Sequence, residues 1–593
     1  MMTPARFPAG TLAIPLLLLA LAATRLHAED AAAKKRFDAL LAEAWEQDKR
    51  ENPLLATETG DHRFDDRLPA VATADIERRA AAARGYLERL KAIDRAALGT
   101  QERVSYAMFE RDLQDELARH AFRTYRMPIT ADSGFHTGLS RLPEEVPLAT
   151  VKDYENYVGR LRAIPAYLDQ NVEHMREGLK SGFTCAKVAL EGYDSTMRPH
   201  ADPDPEKSVF WKPFVSFPPG VPAGEQERLR AAGREAIAKS VAPAYQRLLD
   251  FFTKEYQPGA RTTLGASELP EGKAYYAWCV KHFTTLDTTP EAVHKLGLSE
   301  VERIHREMEG VFQKVGFKGT FPEFLEFLRK DPRFYAKTPE ELLKQASWIA
   351  KRMDGKLPSL FGRLPRQPYG VEPVPDDIAP KYTGGRYAGA PLDGKRAGTY
   401  WVNTYALDTR SLYQLEALTL HEAVPGHHLQ IALAKELQGL PEFRRYSYVD
   451  AFGEGWGLYS EHLGIEAGFY QDPYSDFGRL SYEMWRACRL VVDTGIHAMG
   501  WTRQQAIDYM AQQTALSLHE VTTEVDRYIS WPGQALAYKM GELKIRELRA
   551  RAEKALGTRF DVRAFHDAVL ANGSVPLAVL EQQIDEWIAA RKG

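Results

Sequence analysis

Residues 412–430 read LYQLEALTLHEAVPGHHLQ, an apolar stretch that runs into three histidines and a glutamate. Leu412, Leu415 and Leu418 recur at helical spacing, the pattern of a helix with one face turned to a core. His421-Glu422 follows, and His427 and His428 come six and seven residues after His421. The dipeptide by itself says little: His519-Glu520 repeats it with no other histidine nearby.

Zinc peptidases commonly carry His-Glu-x-x-His on a helix, because residues i and i+4 lie one above the other and their imidazoles can share one Zn²⁺. Here position i+4 is Pro425. On an unbroken helix His427 would lie about 120° round from His421, and His428 roughly 10 Å further along the axis. Neither pair could grip one metal. Pro425 cannot bond back to the carbonyl of His421, and Gly426 tolerates backbone angles closed to other residues. The pair therefore predicts a bulge that absorbs two residues and sets His427 where i+4 would be. His421 and His427 are the expected ligands, with His428 the substitute for the second.

Working outward, helical periodicity dominates the chain. Residues 31–48 place Phe37, Leu40, Leu41, Ala44 and Trp45 on one stripe, and similar patterns recur near 74–95, 100–120, 150–180 and 223–254. Thr338-Pro339-Glu340-Glu341 has the form of a capping box, and Thr289-Pro290-Glu291 opens another helix. A last helix is expected from Pro576 to Ala590, with Leu577, Leu580, Ile584 and Trp587 inward. Strand-like material is scarce. Its best example is 398–405 (GTYWVNTY), preceded by a Pro- and Gly-rich stretch, 362–395, expected to form loops and short strands beside a cleft. The expected fold is mainly α: a large multi-helix protein with a small β-sheet bordering an active-site cleft. A proline-rich loop from Pro203 to Pro222 is a candidate lobe boundary in the first half, and the chain is expected to divide into an N-terminal helical lobe over 29–265 and a C-terminal lobe over 266–593 that carries the His-Glu segment.

Composition narrows the function classes. Of 593 residues, 44% are hydrophobic and 27% charged, an ordinary globular balance. Residues 1–28 have the form of an export signal: Arg6, an apolar run from Leu12 to Ala23, then Leu26-His27-Ala28. The run is too short for a membrane span of about 20 residues, and no cysteine near it indicates a lipid anchor. The protein is thus expected to be exported, periplasmic or secreted, with no stable membrane insertion after cleavage. The remainder carries 75 basic and 81 acidic residues, a formal charge of −6, which offers no footprint for nucleic acid. Cys185, Cys279 and Cys488 lie far apart and imply neither a thiolate zinc site nor a disulfide framework.

The segment HEAVPGHHLQ (421–430), with GEGWGLYSEHLG (453–464), LVVDTGIHAMGW (490–501) and WPGQALAYKMG (531–541), resembles the bacterial domain of unknown function 885 family. That family is grouped with the gluzincin zinc peptidases, which include thimet oligopeptidase and angiotensin-converting enzyme. The resemblance covers most of the chain and is strongest from about residue 270 onward. It implies a third ligand from a glutamate on a following helix. Glu454, between Gly453 and Gly455, is preferred, with Glu461 its substitute or a partner orienting a ligand histidine. It also implies that Glu422 serves as general base to a zinc-bound water, and that a downstream Tyr528, Tyr538 or His497 stabilises the oxyanion.

For substrate, Arg489, Asp493 and His497 repeat every four residues on an apolar helix, as a salt-bridged support or a substrate-facing surface; Arg489 could anchor a peptide carboxylate. The strand around Tyr400 to Asn403 could bind an extended peptide by edge pairing. The expected function is an exported zinc metallopeptidase with a peptide substrate. The alternative is a zinc-binding, non-hydrolytic peptide-binding protein on the same fold.

Overall fold

A computed structural model of the chain describes residues 13–592 apart from 377 and 391–395, with side chains described from residue 30 onward except at 381. Of the expected export signal, residues 1–12 lie outside the described residues, as do the side chains of the rest.

Helices begin where the sequence offers caps. Helix α1 spans Ala13–Glu51, α2 Thr73–Lys91, α3 Thr100–Phe122 and α4 Val151–Ser181. At the head of α4, Thr150 and Asp153 form a reciprocal capping box. Helix α5, Pro290–Val315, opens with the Thr289 side chain accepting from the Ala292 amide. At Thr338 the expected box is only half made. Its hydroxyl accepts from the Glu341 amide, but the Glu341 carboxylate reaches one residue further back, to the Lys337 amide.

The Pro- and Gly-rich region contributes two short strands, β1 (Tyr369–Pro373) and β2 (Gly385–Ala388). With β3 (Gly398–Val402) they form one small sheet in the order β1-β3-β2. Strand β3 runs parallel to β1, with Tyr369 opposite Gly398, and antiparallel to β2, with Tyr387 opposite Tyr400. The protein is mainly α with this one sheet.

The remaining helices of interest are α6 (Leu415–Glu422), α7 (His427–Glu436), α8 (Asp450–Glu466), α9 (Pro473–Met499), α10 (Leu518–Ser530), α11 (Ala537–Leu556) and α12 (Leu577–Lys592). Helix α6 is preceded by a 3₁₀ turn over Leu412–Gln414, so the helix expected from Leu412 opens with a tighter turn and becomes α-helical at Leu415. Helix α9 is buried on all sides from Phe477 to His497. Gly297 of α5 lets that helix settle on it, since a Cβ there would lie 2.7 Å from that of Leu490. Helices α8 and α11 cross with backbones in contact: a Cβ on Gly455 would lie 2.5 Å from Gly541 Cα. One hydrophobic cluster extends from Met108 to Ile588, and a smaller one joins α1, α2 and α3 through Phe37, Leu90 and Phe109.

Because no side chain fits at the α8–α11 crossing, Gly455→Val is expected to cost about 2–3 kcal/mol or more through overpacking. A lowered urea midpoint with unchanged m-value checks this; an unchanged midpoint would mean that the crossing is loose.

Candidate metal centre

Helix α6 stops at Glu422 and α7 starts at His427, and the four residues between them make the site. The Val424–Pro425 peptide is cis. The Gly426 amide reaches back to the Leu420 carbonyl at 3.0 Å and the His428 amide to Ala423 at 3.1 Å, so the chain folds tightly on itself. A side chain at 426 would collide with the His421 carbonyl, which is why only glycine fits. The Trp456 indole, from α8, donates to the Pro425 carbonyl at 2.8 Å and pins the bulge.

The bulge sets the His421 and His427 rings edge-to-face, centroids 4.7 Å apart. Helix α8 brings Glu454, whose Oε2 lies 3.5 Å from His421 Nε2 and 3.4 Å from His427 Nε2. These three donor atoms all lie within 4.8 Å of one another. Glu461, two turns along the same helix, meets the other face of His421, Oε1 to Nδ1 at 2.8 Å, and is itself paired with Arg486 at 3.3 Å. With Nδ1 so occupied, His421 presents Nε2 to the cluster. Burial opposes a charge on His421, but Glu454 and Glu461 outweigh it and raise its pKa to about 9. Burial likewise opposes a charge on Glu454, and the two histidines overcome it, holding the carboxyl well below its ordinary range.

Glu422 lies beside this group, 8% exposed, with Oε2 accepting the Tyr387 amide of β2 at 2.8 Å. The structure turns His428 away. Its Nδ1 meets the Tyr387 hydroxyl at 3.0 Å and its ring packs on Tyr369, so the substitute ligand is outside the cluster. Tyr538 does face the site, its ring stacked over His421 at 6.4 Å.

Other expected site residues are engaged elsewhere. His497 is fully buried, with Nδ1 accepting from the Ala266 amide and Nε2 on the Tyr528 carbonyl, and burial lowers its pKa to about 3. Both nitrogens are committed to backbone, so it is no oxyanion donor. The Tyr528 hydroxyl oxygen accepts from Trp485 Nε1 and Arg489 Nε, each at 2.9 Å. Tyr400 is fully buried against Thr419, and the Asn403 amide group donates to the carbonyls of Ala379, Tyr382 and Thr383. Strand β3 is central, with both edges paired, so neither Tyr400 nor Asn403 can bind a peptide by edge pairing. Asp493 accepts from the Tyr276 hydroxyl and the Gly533 amide, which makes it structural support. Arg489 is buried between Trp485 and Tyr538.

Two residues at the site were missed. Tyr448 donates to Glu454 Oε1 at 3.3 Å while 43% exposed. Burial of its hydroxyl end and the Glu454 carboxylate push its pKa well above the tyrosine range. Tyr387 contributes both amide and hydroxyl. Tyr448 precedes Glu454 by six residues, a separation that carries no helical signal across a loop, and Tyr387 sits in a stretch without period.

The family model for bacterial proteins of unknown function DUF885 matches residues 53–584. The chain belongs to this family. No curated protein matches the DUF885 chain significantly. Among solved structures, it is similar to a "putative lipoprotein" from Colwellia psychrerythraea, at 29% identity and a TM-score of 0.87, covering 94% of this chain and all of that one. A "putative lipoprotein of unknown function" from Shewanella oneidensis shares the fold at 19% identity and a TM-score of 0.67, covering 93% and 99%.

Burial pushes the Asp493 carboxyl up to about 7, against the hydrogen bonds from Tyr276 and Gly533. Such a group stabilises the fold fully below its unfolded pKa and loses that contribution as pH rises through about 7. The stability of the wild type relative to Asp493→Asn is expected to fall between about pH 4 and about pH 7, by at most about 1.4 kcal/mol per unit. Urea titrations of both proteins across that range check the sign; a constant difference would contradict it.

Proposed function

We propose that this protein is an exported, zinc-dependent peptidase acting at the His421, His427 and Glu454 cluster. The observation that carries the reading is the convergence of two imidazole nitrogens and one carboxylate oxygen within 4.8 Å, with Glu422 beside them. Two histidines and a glutamate are a known ligand set for catalytic zinc, which keeps a fourth position open. The set also fits the metal in its support, because Glu461 fixes the orientation of His421.

A zinc ion held there supplies a water of lowered pKa and a Lewis acid for the peptide carbonyl. The chain's own residues do the rest. The Tyr387 amide fixes Oε2 of Glu422, leaving Oε1 to take a proton from the attacking water and return it to the leaving amine. Tyr538, whose ring lies over His421, is the phenol we assign to a developing oxyanion, since the single Tyr448 proton is already given to Glu454. Strand β2, an edge of the sheet whose Tyr387 amide reaches Glu422, takes the place expected of β3, and an extended peptide is the substrate such an edge suits.

Export is supported by the form of residues 1–28 and by the description of both solved relatives as lipoproteins. Among the described residues no helix is long and apolar enough to cross a membrane. A periplasmic or secreted location follows from that reading.

Metal analysis is expected to find roughly one zinc per chain, lost in His421→Ala, His427→Ala and Glu454→Ala and kept in His428→Ala. Glu422→Gln should keep the metal while kcat/KM on a peptide library drops by ~10²–10⁴-fold. Zinc retained in all three ligand variants would dismiss the site. Peptide binding without turnover in the zinc-loaded wild type would favour a binding protein instead.

A further inference from the structure

Arg489 is 3% exposed, and its hydrogen bonding is incomplete. Its Nε donates to the Tyr528 hydroxyl and its Nη2 to Glu524 at 3.0 Å, but the buried Nη1 has no partner among the described residues. Its Cζ lies 4.2 Å from the centre of the Tyr538 ring, and that ring stacks over His421. The unpartnered donor is therefore one side chain away from the metal cluster.

Charge is short as well. Arg489 and the half-buried Arg527 both pair with the same oxygen of Glu524, at 3.0 Å each, so two guanidiniums share one carboxylate. The neighbouring Glu520 does not make up the difference, since burial pushes its carboxyl up to about 7. A buried cation with one unused donor and a shared counter-charge is costly unless a ligand supplies what is missing.

A second arginine stands on the sheet side. Arg386 is exposed on β2, next to the residue whose amide holds Glu422. Its guanidinium lies over the Tyr382 ring, 5.4 Å from the centroid, and it enters no salt bridge among the described residues. Partial desolvation of the guanidinium by its neighbours works against its charge, while Tyr382, Tyr538 and Glu422 favour it. Tyr538 thus lies within electrostatic reach of both arginines.

We propose that Arg386 and Arg489 form a carboxylate-recognising subsite beside the metal cluster, so that the ligands of this centre are peptides presenting a free carboxylate near the bond acted on. A planar guanidinium with free N–H groups matches a carboxylate in shape and charge. The role of the subsite rests on the peptidase reading; the binding does not.

Calorimetry on the metal-free full-length chain separates the two. The probes are N-benzoylphenylalanine, N-benzoylphenylalaninamide and N-benzoylglutamic acid α-amide, which carry a main-chain carboxylate, none, and a side-chain carboxylate. At least one acid should bind ~10-fold or more tighter than the neutral amide, and the tighter acid identifies the source of the carboxylate. Arg386→Gln, at an exposed position, and Arg489→Lys, which keeps the buried charge but loses the planar fork, should each reduce the preference to ~2-fold or less. Equal affinities, no binding of any probe, or a preference that survives both substitutions would overturn the proposal. Failure of the peptidase reading would appear instead as missing zinc and turnover, with the acid preference intact.

Discussion

The His421 ring rests on the bare backbone of Gly457. A Cβ there would lie 2.6 Å from His421 Cε1, so α6 and α8 can approach this closely only with glycine at that point. The contact sets Glu454 and Glu461 on either side of it along α8, one toward Nε2 and the other toward Nδ1 of the same imidazole. Two carboxylates seven residues apart therefore take different roles. One joins the donor cluster and the other orients a ring, and Arg486 offsets the second charge.

The break between α6 and α7 completes the arrangement. A continuous helix would carry His427 away from His421, whereas the bulge returns it, closed by backbone hydrogen bonds and by the Trp456 indole. Trp456 is adjacent to Gly457, so the residue that anchors the bulge and the one that receives the His421 ring sit side by side on α8. Sheet and helices meet at Glu422, where a β2 amide satisfies one carboxylate oxygen.

Buried charge surrounds this centre and is mostly matched. Glu483 of α9 is held by Lys539 at 2.8 Å and by Arg479 at 3.4 Å, and Arg303 also reaches it. Such networks are costly when any member lacks a partner. Among the described residues, Arg489, packed on Tyr538, keeps a buried donor without a partner, and Arg386, over Tyr382, enters no salt bridge.

Much of this was legible in one dimension. Helical period, caps and the scarcity of β-branched runs determined a mainly α chain, because these are local energies that act within a turn. The Pro425-Gly426 interruption announced a bulge that would return a histidine beyond i+4 to His421, since a missing amide and a missing Cβ have only local remedies; the tertiary structure chose His427 over His428. What tertiary structure alone decided lies across loops. It put β3 in the middle of the sheet, closed His497 and Asn403 into backbone hydrogen bonds, turned His428 toward Tyr387, and brought Tyr448 to Glu454. Each depends on which distant surface a side chain meets, and in a chain whose helices are apolar on several faces the pattern of residues does not say which face meets which neighbour.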